Sequence, residues 1–311
     1  MNRSTVVLGL SAIALRAAQP ARAQTLQHLR VVATAVDQSG ALYYARDLGM
    51  FAKHGIDISI DTPNDNTLAV PSVVSGTVDI AYINIVSLEQ AYRKGIPLVA
   101  VAPAAVNDAR WPDTSLVVAK DSPIRSPLDL QGKIVGTATL KALGEFATNA
   151  WVDQHGGDSS KLKWIGIPYI SCGEALEAGR IDAAFVIEPY ATQLLGKTRL
   201  LGRPYEAIAK RFLGAAYMTT RDWANQHADV VARFAAAIRE ASVWGNRNPD
   251  KSAAILAKYA HVDPDSLANI TRSRYGEALL AEEIQPTIDF GVRFKVLDAS
   301  FPAGDLIYRA S

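Results

Sequence analysis

Short apolar runs alternate with amphipathic stretches along most of the chain, and one short phrase occurs twice. Residues 75–83 read S-G-T-V-D-I-A-Y-I, and residues 178–186 read A-G-R-I-D-A-A-F-V. In each copy a helical stretch stops at a glycine, which suits a helix C-cap. A near-continuous apolar run follows, as is typical of a strand buried in a parallel sheet. Two copies in matching context predict two α/β lobes.

The same alternation of strand and helix is predicted in both halves of the chain. Strands are expected at 29–35, 56–60, 97–102, 115–120, 134–138 and 162–167, and helices at 41–53, 64–74, 88–94 and 143–155. Pro71 should kink the second helix or shift its start. Residues 106–114 are expected as a polar loop, and residues 121–133, with two prolines and no periodicity, as the crossing into the second lobe.

The last part of the chain is predicted to be helical. Residues 212–219 are expected to carry the chain back to the first lobe. Apolar residues then follow the i, i+3, i+4 rule between residues 230 and 244. Further helices are expected at 251–259 and 279–294. This helical part should pack on lobe one.

Composition narrows the function classes. In 311 residues, charged side chains make up 20% and the formal net charge is +1, so no electrostatic footprint for nucleic acid is present. Cys172 is the single cysteine, which excludes an intrachain disulfide and a cysteine-rich metal site. The five histidines are scattered without metal-ligand spacing. We therefore expect no metal and no cofactor.

The N-terminal segment has the pattern of a cleavable secretory signal. Arg3 precedes an apolar run at residues 6–15, and Ala21-Arg22-Ala23 is an A-x-A site before Gln24. The run is shorter than the roughly 20 residues that a membrane-spanning helix needs. No cysteine lies near the cleavage site, so no lipid anchor is expected there. The sequence predicts a soluble periplasmic protein.

Several longer segments occur together in a familiar order. They are A-L-Y-Y-A-R-D-L-G-M-F-A-K-H-G-I-D, S-G-T-V-D-I-A, D-S-P-I-R-S-P-L-D-L-Q-G-K, G-R-I-D-A-A-F-V-I-E-P-Y and W-G-N-R-N-P-D-K-S-A-A-I-L. With them the chain resembles the periplasmic substrate-binding proteins of the nitrate, sulfonate and taurine import family. The resemblance covers nearly everything after the signal.

The resemblance implies a fold, a mechanism and partners. Two three-layer α/β lobes are expected, joined by two hinge crossings, with the ligand cleft between them and the C-terminal helices on lobe one. The expected division is a signal at 1–23, lobe one at 24–119, lobe two at 120–218, and a return crossing with lobe-one helices at 219–311. A small ligand, trapped by hinge closure, is delivered to the permease and ATPase of an ABC transporter in the inner membrane. The binding protein itself is expected to be a monomer.

Candidate ligand-binding residues follow predicted strand ends or open predicted helices. Helix N-termini attract anions through free N–H groups and the macrodipole. The alternative for Ser39 and Thr139 is that they serve only as helix caps. Arg110 and Trp111 could offer charge and stacking, or could simply be a solvated arginine beside a core tryptophan. Glu188 is not a favoured N-cap, so it is expected to face a ligand. The full set is Ser39, Gly40, Asn84, Ile85, Arg110, Trp111, Thr139, Leu140, Lys141, Ala142, Glu188, Tyr190 and Tyr217.

The expected ligand is a small organic anion, a sulfonate or carboxylate, aromatic ones included. An ionised Glu188 in the cleft would instead suit a zwitterion. The protein is not expected to be an enzyme, but enzymes can share this fold. A desulfinase-like enzyme would use Cys172 at a helix start, and an enzyme like the thiamine pyrimidine synthases or a periplasmic ligand sensor are further alternatives.

Overall fold

The computed structural model describes residues 26–267 and 270–310. The predicted signal at 1–23 and its cleavage site lie outside the described residues. Within them the chain forms two five-stranded sheets and one three-stranded sheet, and helices pack against the two larger sheets. The predicted α/β class with two lobes is confirmed.

The elements alternate along the chain in the predicted manner. The strands are β1 (Gln27–Val32), β2 (Ile56–Asp61), β3 (Ile80–Asn84), β4 (Leu98–Pro103), β5 (Ala105–Asp108), β6 (Thr114–Ala119), β7 (Ile134–Thr137), β8 (Lys163–Gly166), β9 (Ala183–Ile187), β10 (Thr198–Gly202), β11 (Arg211–Leu213), β12 (Ala215–Thr220) and β13 (Arg274–Tyr275). The helices are α1 (Gly40–Asp47), α2 (Met50–Lys53), α3 (Ala69–Val74), α4 (Ile85–Arg93), α5 (Leu143–Gln154), α6 (Cys172–Glu177), α7 (Tyr190–Gln193), α8 (Arg221–Gln226), α9 (Ala228–Arg247), α10 (Pro249–Ala260) and α11 (Ala281–Arg293).

The two larger sheets have the same strand order. Lobe one has the order β2-β1-β3-β12-β4, and lobe two has the order β8-β7-β9-β6-β10. In each lobe the first three strands are parallel, and the fourth is antiparallel to the third. Each lobe is therefore a copy of one topology, with β3 and β9 in equivalent places.

The repeated phrase builds these two equivalent strands. Its glycines, Gly76 and Gly179, have φ of 72° and 65°, which the left-handed end of a helix requires. Its aspartates bind the phrase to the neighbouring parallel strand, β1 in lobe one and β7 in lobe two. Asp79 accepts a hydrogen bond from the Arg30 backbone N–H at 2.8 Å, and Asp182 accepts one from the Ile134 backbone N–H at 2.8 Å. The phrase thus has the same structural role in both lobes.

The chain crosses between the lobes earlier than the sequence predicted. Strand β6 pairs with β9 and β10 in lobe two, so the first crossing lies at residues 109–113 and the expected crossing at 121–133 is corrected. That segment contains a 3-10 turn, Pro127–Leu130, within lobe two. Strand β12 is an inner strand of lobe one, so the chain has already returned before residue 211. Apolar strands look alike in either sheet, and sequence alone therefore misplaced both boundaries.

Three smaller predictions change. The helix expected at 41–53 is broken into α1 and α2 by Gly49, whose φ is 72°. The helix expected at 64–74 begins at Ala69, which leaves Pro71 in the first turn, where a missing N–H is tolerated. The loop expected at 106–114 begins as the buried strand β5, paired with β11 and β13.

The C-terminal helices complete lobe one. Helix α9 contacts α1, α2 and β4, and α11 contacts α4 and β11. Phe234 of α9 stacks on Phe51 with ring centroids 5.6 Å apart. In the part of the chain that the structure describes, no helix combines the length and the apolar character that a bilayer crossing needs.

We expect Asp182→Ala to destabilise the protein, because it leaves the Ile134 N–H without its side-chain acceptor. A hydrogen bond to a charged group contributes about 1.5–3 kcal/mol, so the melting temperature should fall by several degrees, measured by circular dichroism. Asp121→Ala removes the same charge from an exposed position and serves as the control. Equal melting temperatures for the two variants would contradict the role given to Asp182.

Candidate ligand-binding cleft

A cavity lies between the lobes at the carboxyl ends of the parallel strands. Lobe one contributes residues that follow β1 and β2 or lie on β3, and lobe two contributes the end of β7, the start of α5 and part of β9. Open α/β sheets bind ligands at this edge. The cavity, called here the inner cavity, has a volume of about 40 Å³, which holds a few water molecules. A larger ligand would need more space than this arrangement of the lobes leaves.

The lining of the inner cavity is aromatic and polar but almost uncharged. Its aromatic residues are Tyr82, Tyr169, Phe185 and Tyr205; its neutral polar residues are Thr34, Gln38, Asn66, Asn84, Thr137 and Thr139; its other residues are Val36, Asp65, Ala138, Ala142, Leu143, Gly144 and Ile187. Asp65 is the one charged side chain in this lining, and no lysine or arginine of the described residues belongs to it.

The repeated phrase supplies one wall from each lobe. Tyr82 on β3 and Phe185 on β9 occupy the same position of the phrase, and both line the cavity. Phe185 packs on Tyr205 with centroids 5.4 Å apart. A Cβ at Gly144 would lie 2.5 Å from the Phe185 ring, so only glycine lets α5 approach this ring so closely. The two lobes therefore face each other with aromatic rings.

The first turn of α5 points backbone N–H groups toward the cavity. Ala142 is the N-cap and makes no side-chain cap, and Ala142, Leu143 and Gly144 all line the cavity. The first N–H groups of a helix have no partner within it. They are available to a ligand acceptor.

Two amide side chains on lobe one are held in fixed orientations. Gln38 donates from Nε2 to Asp113 at 3.3 Å and accepts from the Tyr82 hydroxyl at 3.3 Å. The Asn66 oxygen accepts from the Thr34 hydroxyl at 2.7 Å, which leaves its NH₂ group as a donor. The cavity therefore offers both donors and acceptors in defined directions.

A second space adjoins the inner cavity toward the cleft mouth. This outer chamber has a volume of about 500 Å³ and shares Asp65, Asn66, Ala138 and Thr139 with the inner cavity. Leu140 and Lys141 line it. Of the residues predicted from sequence, Asn84, Thr139 and Ala142 line the inner cavity and these two line the outer chamber.

Four predicted residues lie behind the cavity wall instead. Ser39, Gly40, Ile85 and Tyr217 are buried. The Ser39 hydroxyl donates to the Thr34 carbonyl at 2.6 Å, and the Tyr217 hydroxyl donates to the Ser39 carbonyl at 3.2 Å. These residues shape the loop that carries Thr34 and Gln38. Asn84 caps α4, since its side chain accepts from the Ser87 N–H at 3.0 Å, and it also lines the cavity.

Arg110 and Trp111 lie in the first crossing and line a different cavity. The Arg110 guanidinium pairs with Asp108 at 2.6 Å, which lowers the pKa of Asp108 well below its usual range. The Arg274 guanidinium lies over the Trp111 ring, 4.2 Å from its centroid. The structure does not bring this arginine or this tryptophan to the inner cavity.

Glu188 and Tyr190 lie at the contact between the lobes. The Glu188 carboxylate accepts from the Thr192 N–H at 3.0 Å and from its hydroxyl at 3.1 Å. Burial raises the pKa of Glu188 to about 7. The Tyr190 hydroxyl donates to the Ala35 carbonyl of lobe one at 3.4 Å. Neither side chain lines the inner cavity, so Glu188 faces its own helix and not a ligand.

Sequence reasoning missed all four aromatic residues that line the inner cavity. Phe185 lies inside the repeated phrase, so its match to Tyr82 was a usable signal. Asp65 and Asn66 lie in a polar run directly after a predicted strand, and this position was a second usable signal. Tyr169 and Tyr205 lie in or beside short 3-10 turns, and no periodic pattern marks them.

Cys172 lies in the hydrophobic core of lobe two and does not line the inner cavity. It is fully buried, and burial raises the pKa of its thiol to about 12. Its Sγ contacts the Pro168 carbonyl at 3.6 Å. Among the described residues, no three histidine, cysteine, aspartate or glutamate side chains are placed to hold a metal ion.

Comparison with known proteins agrees with this geometry. The model of the family described as NMT1/THI5 like matches residues 37–252, well over half of the chain. The chain belongs to the NMT1/THI5-like family. It is also 23% identical over 245 residues to a Brucella abortus protein that bears the name of a binding protein, covering 77% of this chain and 73% of that one.

Two further comparisons bear on the cleft. A protein of Halalkalibacterium halodurans named formylaminopyrimidine-binding protein is 24% identical over 221 residues, covering 69% of this chain and 64% of that one. The solved structure of the alkanesulfonate-binding protein from Xanthomonas axonopodis pv. citri, bound to MOPS, superposes with a TM-score of 0.75 at 18% identity, covering 94% of this chain and 100% of that one. The chain thus has the fold of the binding proteins of ABC import systems, as its sequence predicted.

We expect Glu188→Gln to stabilise the protein at alkaline pH and to have little effect at acidic pH. The pKa of Glu188 is about 7 in the folded protein and about 4.3 in the unfolded chain. Its contribution to folding stability is therefore complete below about pH 4.3 and is lost as the pH rises toward about 7. Glutamine keeps an acceptor for Thr192 without this loss. At about pH 8 the gain should be about 3–4 kcal/mol, since the pKa rises from about 4.3 to about 7 on folding and one pKa unit corresponds to about 1.36 kcal/mol.

Thermal unfolding at about pH 5 and about pH 8 measures this difference. The control is Glu174→Gln, which changes the same charge at an exposed position of lobe two. A gain for Glu188→Gln that is the same at both pH values would contradict the assignment.

Proposed function

We propose that the chain is the solute-binding component of an ABC importer, which captures a small ligand in the periplasm and presents it to a permease and an ATPase. The observation that carries this proposal is the cavity at facing strand ends of two topologically equivalent lobes. A ligand there contacts both lobes at once, so it favours the closed state by the difference in contacts between closed and open forms. The family and the fold of its structural neighbours support the same function.

We further propose that the ligand is a neutral or weakly basic aromatic heterocycle of the aminopyrimidine kind. Rings such as Tyr82 and Phe185 on opposite lobes can pack against a planar ligand, and aromatic pairs contribute about 0.5–1.5 kcal/mol beyond area burial. Gln38 and Asn66 present an acceptor and a donor to its edge. The relative named formylaminopyrimidine-binding protein is consistent with such a ligand.

A sulfonate or carboxylate is the rival ligand that the sequence favoured. Its support in the structure is the first turn of α5, where a helix N-terminus contributes about 0.3–1 kcal/mol to a bound anion. Two observations count against an anion. The carboxylate of Asp65 lines the inner cavity and would repel it, and the two candidate cations, Arg110 and Lys141, do not line that cavity. An anion would therefore lose its hydration without gaining a cationic partner there.

A thermal-shift screen decides between the two ligand classes. We expect aminopyrimidines to raise the melting temperature and alkanesulfonates and benzoates to leave it unchanged, because a ligand at 100 times its dissociation constant stabilises by about 2.7 kcal/mol. Asp65→Asn should weaken aminopyrimidine binding about tenfold, which corresponds to about 1.4 kcal/mol. Asp61→Asn, at an exposed position of the same lobe, is the matched control. Stabilisation by sulfonates alone would refute the heterocycle.

A transport assay separates an importer subunit from a sensor on the same fold. Reconstituted in liposomes with its permease and ATPase, the ligand-loaded chain should stimulate ATP hydrolysis, whereas the chain without ligand should stimulate it less. Phosphate release measures the rate. Ligand binding without any stimulation would favour the sensor.

A further inference from the structure

A cavity separate from the cleft lies beside the first crossing. This crossing cavity has a volume of about 480 Å³, and small-molecule sites usually enclose about 300–1,000 Å³. Its lining includes residues of the three-stranded sheet, Trp111 of the crossing and Leu280, which precedes α11. Among the described residues, none that lines it also lines the inner cavity or the outer chamber. A ligand here would be distinct from the ligand of the cleft.

Four charged side chains of the crossing cavity neutralise one another. The buried carboxylate of Asp108 accepts from Arg110 Nη2 at 2.6 Å and from Arg211 Nη1 at 3.2 Å. Arg211 Nη2 in turn lies 2.6 Å from Glu283 Oε1. Two acids and two arginines therefore satisfy each other's charge and do not call for a charged ligand.

Two further charged side chains line the same cavity and are not neutralised in this way. Within residues 26–267 and 270–310, neither Arg274 nor Glu277 forms an ion pair. The Arg274 guanidinium lies over the Trp111 ring, 4.2 Å from its centroid, and its Nη1 donates to the Asn246 carbonyl at 3.5 Å. A guanidinium has five N–H donors, so most of them remain for a ligand. Glu277 is exposed and makes no hydrogen bond with another described side chain.

We propose that the crossing cavity binds an apolar α-amino acid in its zwitterionic form. Arg274 receives the carboxylate, because the planar guanidinium fork matches a carboxylate with two parallel hydrogen bonds. Glu277 receives the ammonium group. Trp111 and Leu280 contact the apolar side chain. This inference does not rest on the ligand proposed for the cleft.

The charges of the crossing cavity favour a zwitterion over a simple ion. A carboxylate without an amine would pair with Arg274 but would bring a second negative charge into the space that Glu277 lines. An amine without a carboxylate would have the opposite defect. A zwitterion offers each side chain the opposite charge, and charge complementarity of this kind gives specificity.

The apolar part of the lining favours an apolar side chain on that zwitterion. Trp111 is 44% exposed and Leu280 is 39% exposed, and both line the cavity. Exposed apolar surface within a groove is typical of a ligand contact. Covering it with an aliphatic side chain removes apolar area from water, which adds affinity that neither charge supplies.

The segment that carries Arg274 and Glu277 is held in a defined position. Asn246 Nδ2 donates to the Tyr275 carbonyl at 2.9 Å, and Asn246 Oδ1 accepts from the Tyr275 N–H at 3.0 Å. Both hydrogen bonds fix the backbone between the two charged residues. A site supported in this way loses less freedom when a ligand binds.

Calorimetric titration with three probes tests the inference. The probes are L-leucine, 4-methylpentanoate, which lacks the amine, and 3-methylbutylamine, which lacks the carboxylate. The wild-type protein should bind L-leucine about tenfold more tightly than either analogue, because each analogue loses a charge-assisted hydrogen bond. Arg274→Gln should bring L-leucine to the affinity of 3-methylbutylamine. Glu277→Gln should bring it to the affinity of 4-methylpentanoate.

Matched controls change the same charges at exposed positions outside the cavity. They are Arg180→Gln on lobe two and Glu282→Gln, which lies near Glu277 in sequence but does not line the cavity. Both should leave the affinity for L-leucine within about twofold, since distant surface charges are screened. Because Glu277 is exposed, its variant should fold even where Arg274→Gln does not.

A nuclear magnetic resonance spectrum locates the bound amino acid. The indole N–H signal of Trp111, assigned by its loss in Trp111→Phe, should shift when L-leucine is added to the wild-type protein. The inference is overturned if L-leucine does not bind, or if 4-methylpentanoate binds equally well. It is also overturned if Glu277→Gln and Arg274→Gln keep the wild-type affinity, because the amino acid would then bind elsewhere. The aminopyrimidine screen is independent of each of these outcomes.

Discussion

Asp37 links lobe one to lobe two through its buried carboxylate and its backbone N–H. It accepts from the Arg272 guanidinium at 2.6 Å and from the Ser273 N–H at 2.7 Å, which fixes the segment after α10 to the start of α1. Its own N–H donates to the Glu188 carbonyl of lobe two at 2.8 Å, and the Glu188 N–H donates to the Asp113 carbonyl at 2.9 Å. Lobe one, the first crossing and lobe two thus meet at one buried point. Removing one partner of such an ion pair leaves an uncompensated buried charge.

This buried point also determines the electrostatics of the hinge. Arg272 compensates Asp37, but Asp113 and Glu188 have only hydroxyl, amide and N–H partners. Burial raises the pKa of Asp113 to about 6 and that of Glu188 to about 7. Their ionised forms are therefore less stable in the closed hinge than in water. The Gln38 amide connects Asp113 to the cavity, so the charge at the hinge and the recognition of a ligand share a side chain.

The repeated phrase made the fold predictable from sequence, whereas the site depends on the residues in which the two halves of the chain differ. Gly76, Asp79 and their counterparts in lobe two are local requirements of a helix end and a strand start, so the pattern alone reveals them. Asn84 and the start of α5 were found in the same way, because strand ends and helix starts converge by topology.

Other parts of the site depend on contacts distant in sequence. The hinge position of Glu188 follows from its pairing with Asp113 and Asp37, which no local pattern encodes. From sequence, Arg110 was either an anion ligand or a solvated side chain, and its pairing with Asp108 is a tertiary contact that no pattern marks. The first crossing was misplaced because β6 reads as an apolar strand in either lobe. Sequence therefore predicted the architecture and the sheet edge at which the inner cavity lies, whereas the choice of side chains required the tertiary structure.

The lobe contacts limit how much binding energy a ligand must supply. The hydrogen bonds from Asp37 to Glu188 and from Tyr190 to Ala35 join the lobes without a ligand, so they raise the fraction of molecules in the closed state. The apparent dissociation constant is the intrinsic one divided by that fraction. The proposed heterocycle would then need to supply less of the free energy of closure through ring packing and hydrogen bonds. These contacts between the lobes would thus support discrimination by shape and hydrogen bonding at a site without a cation.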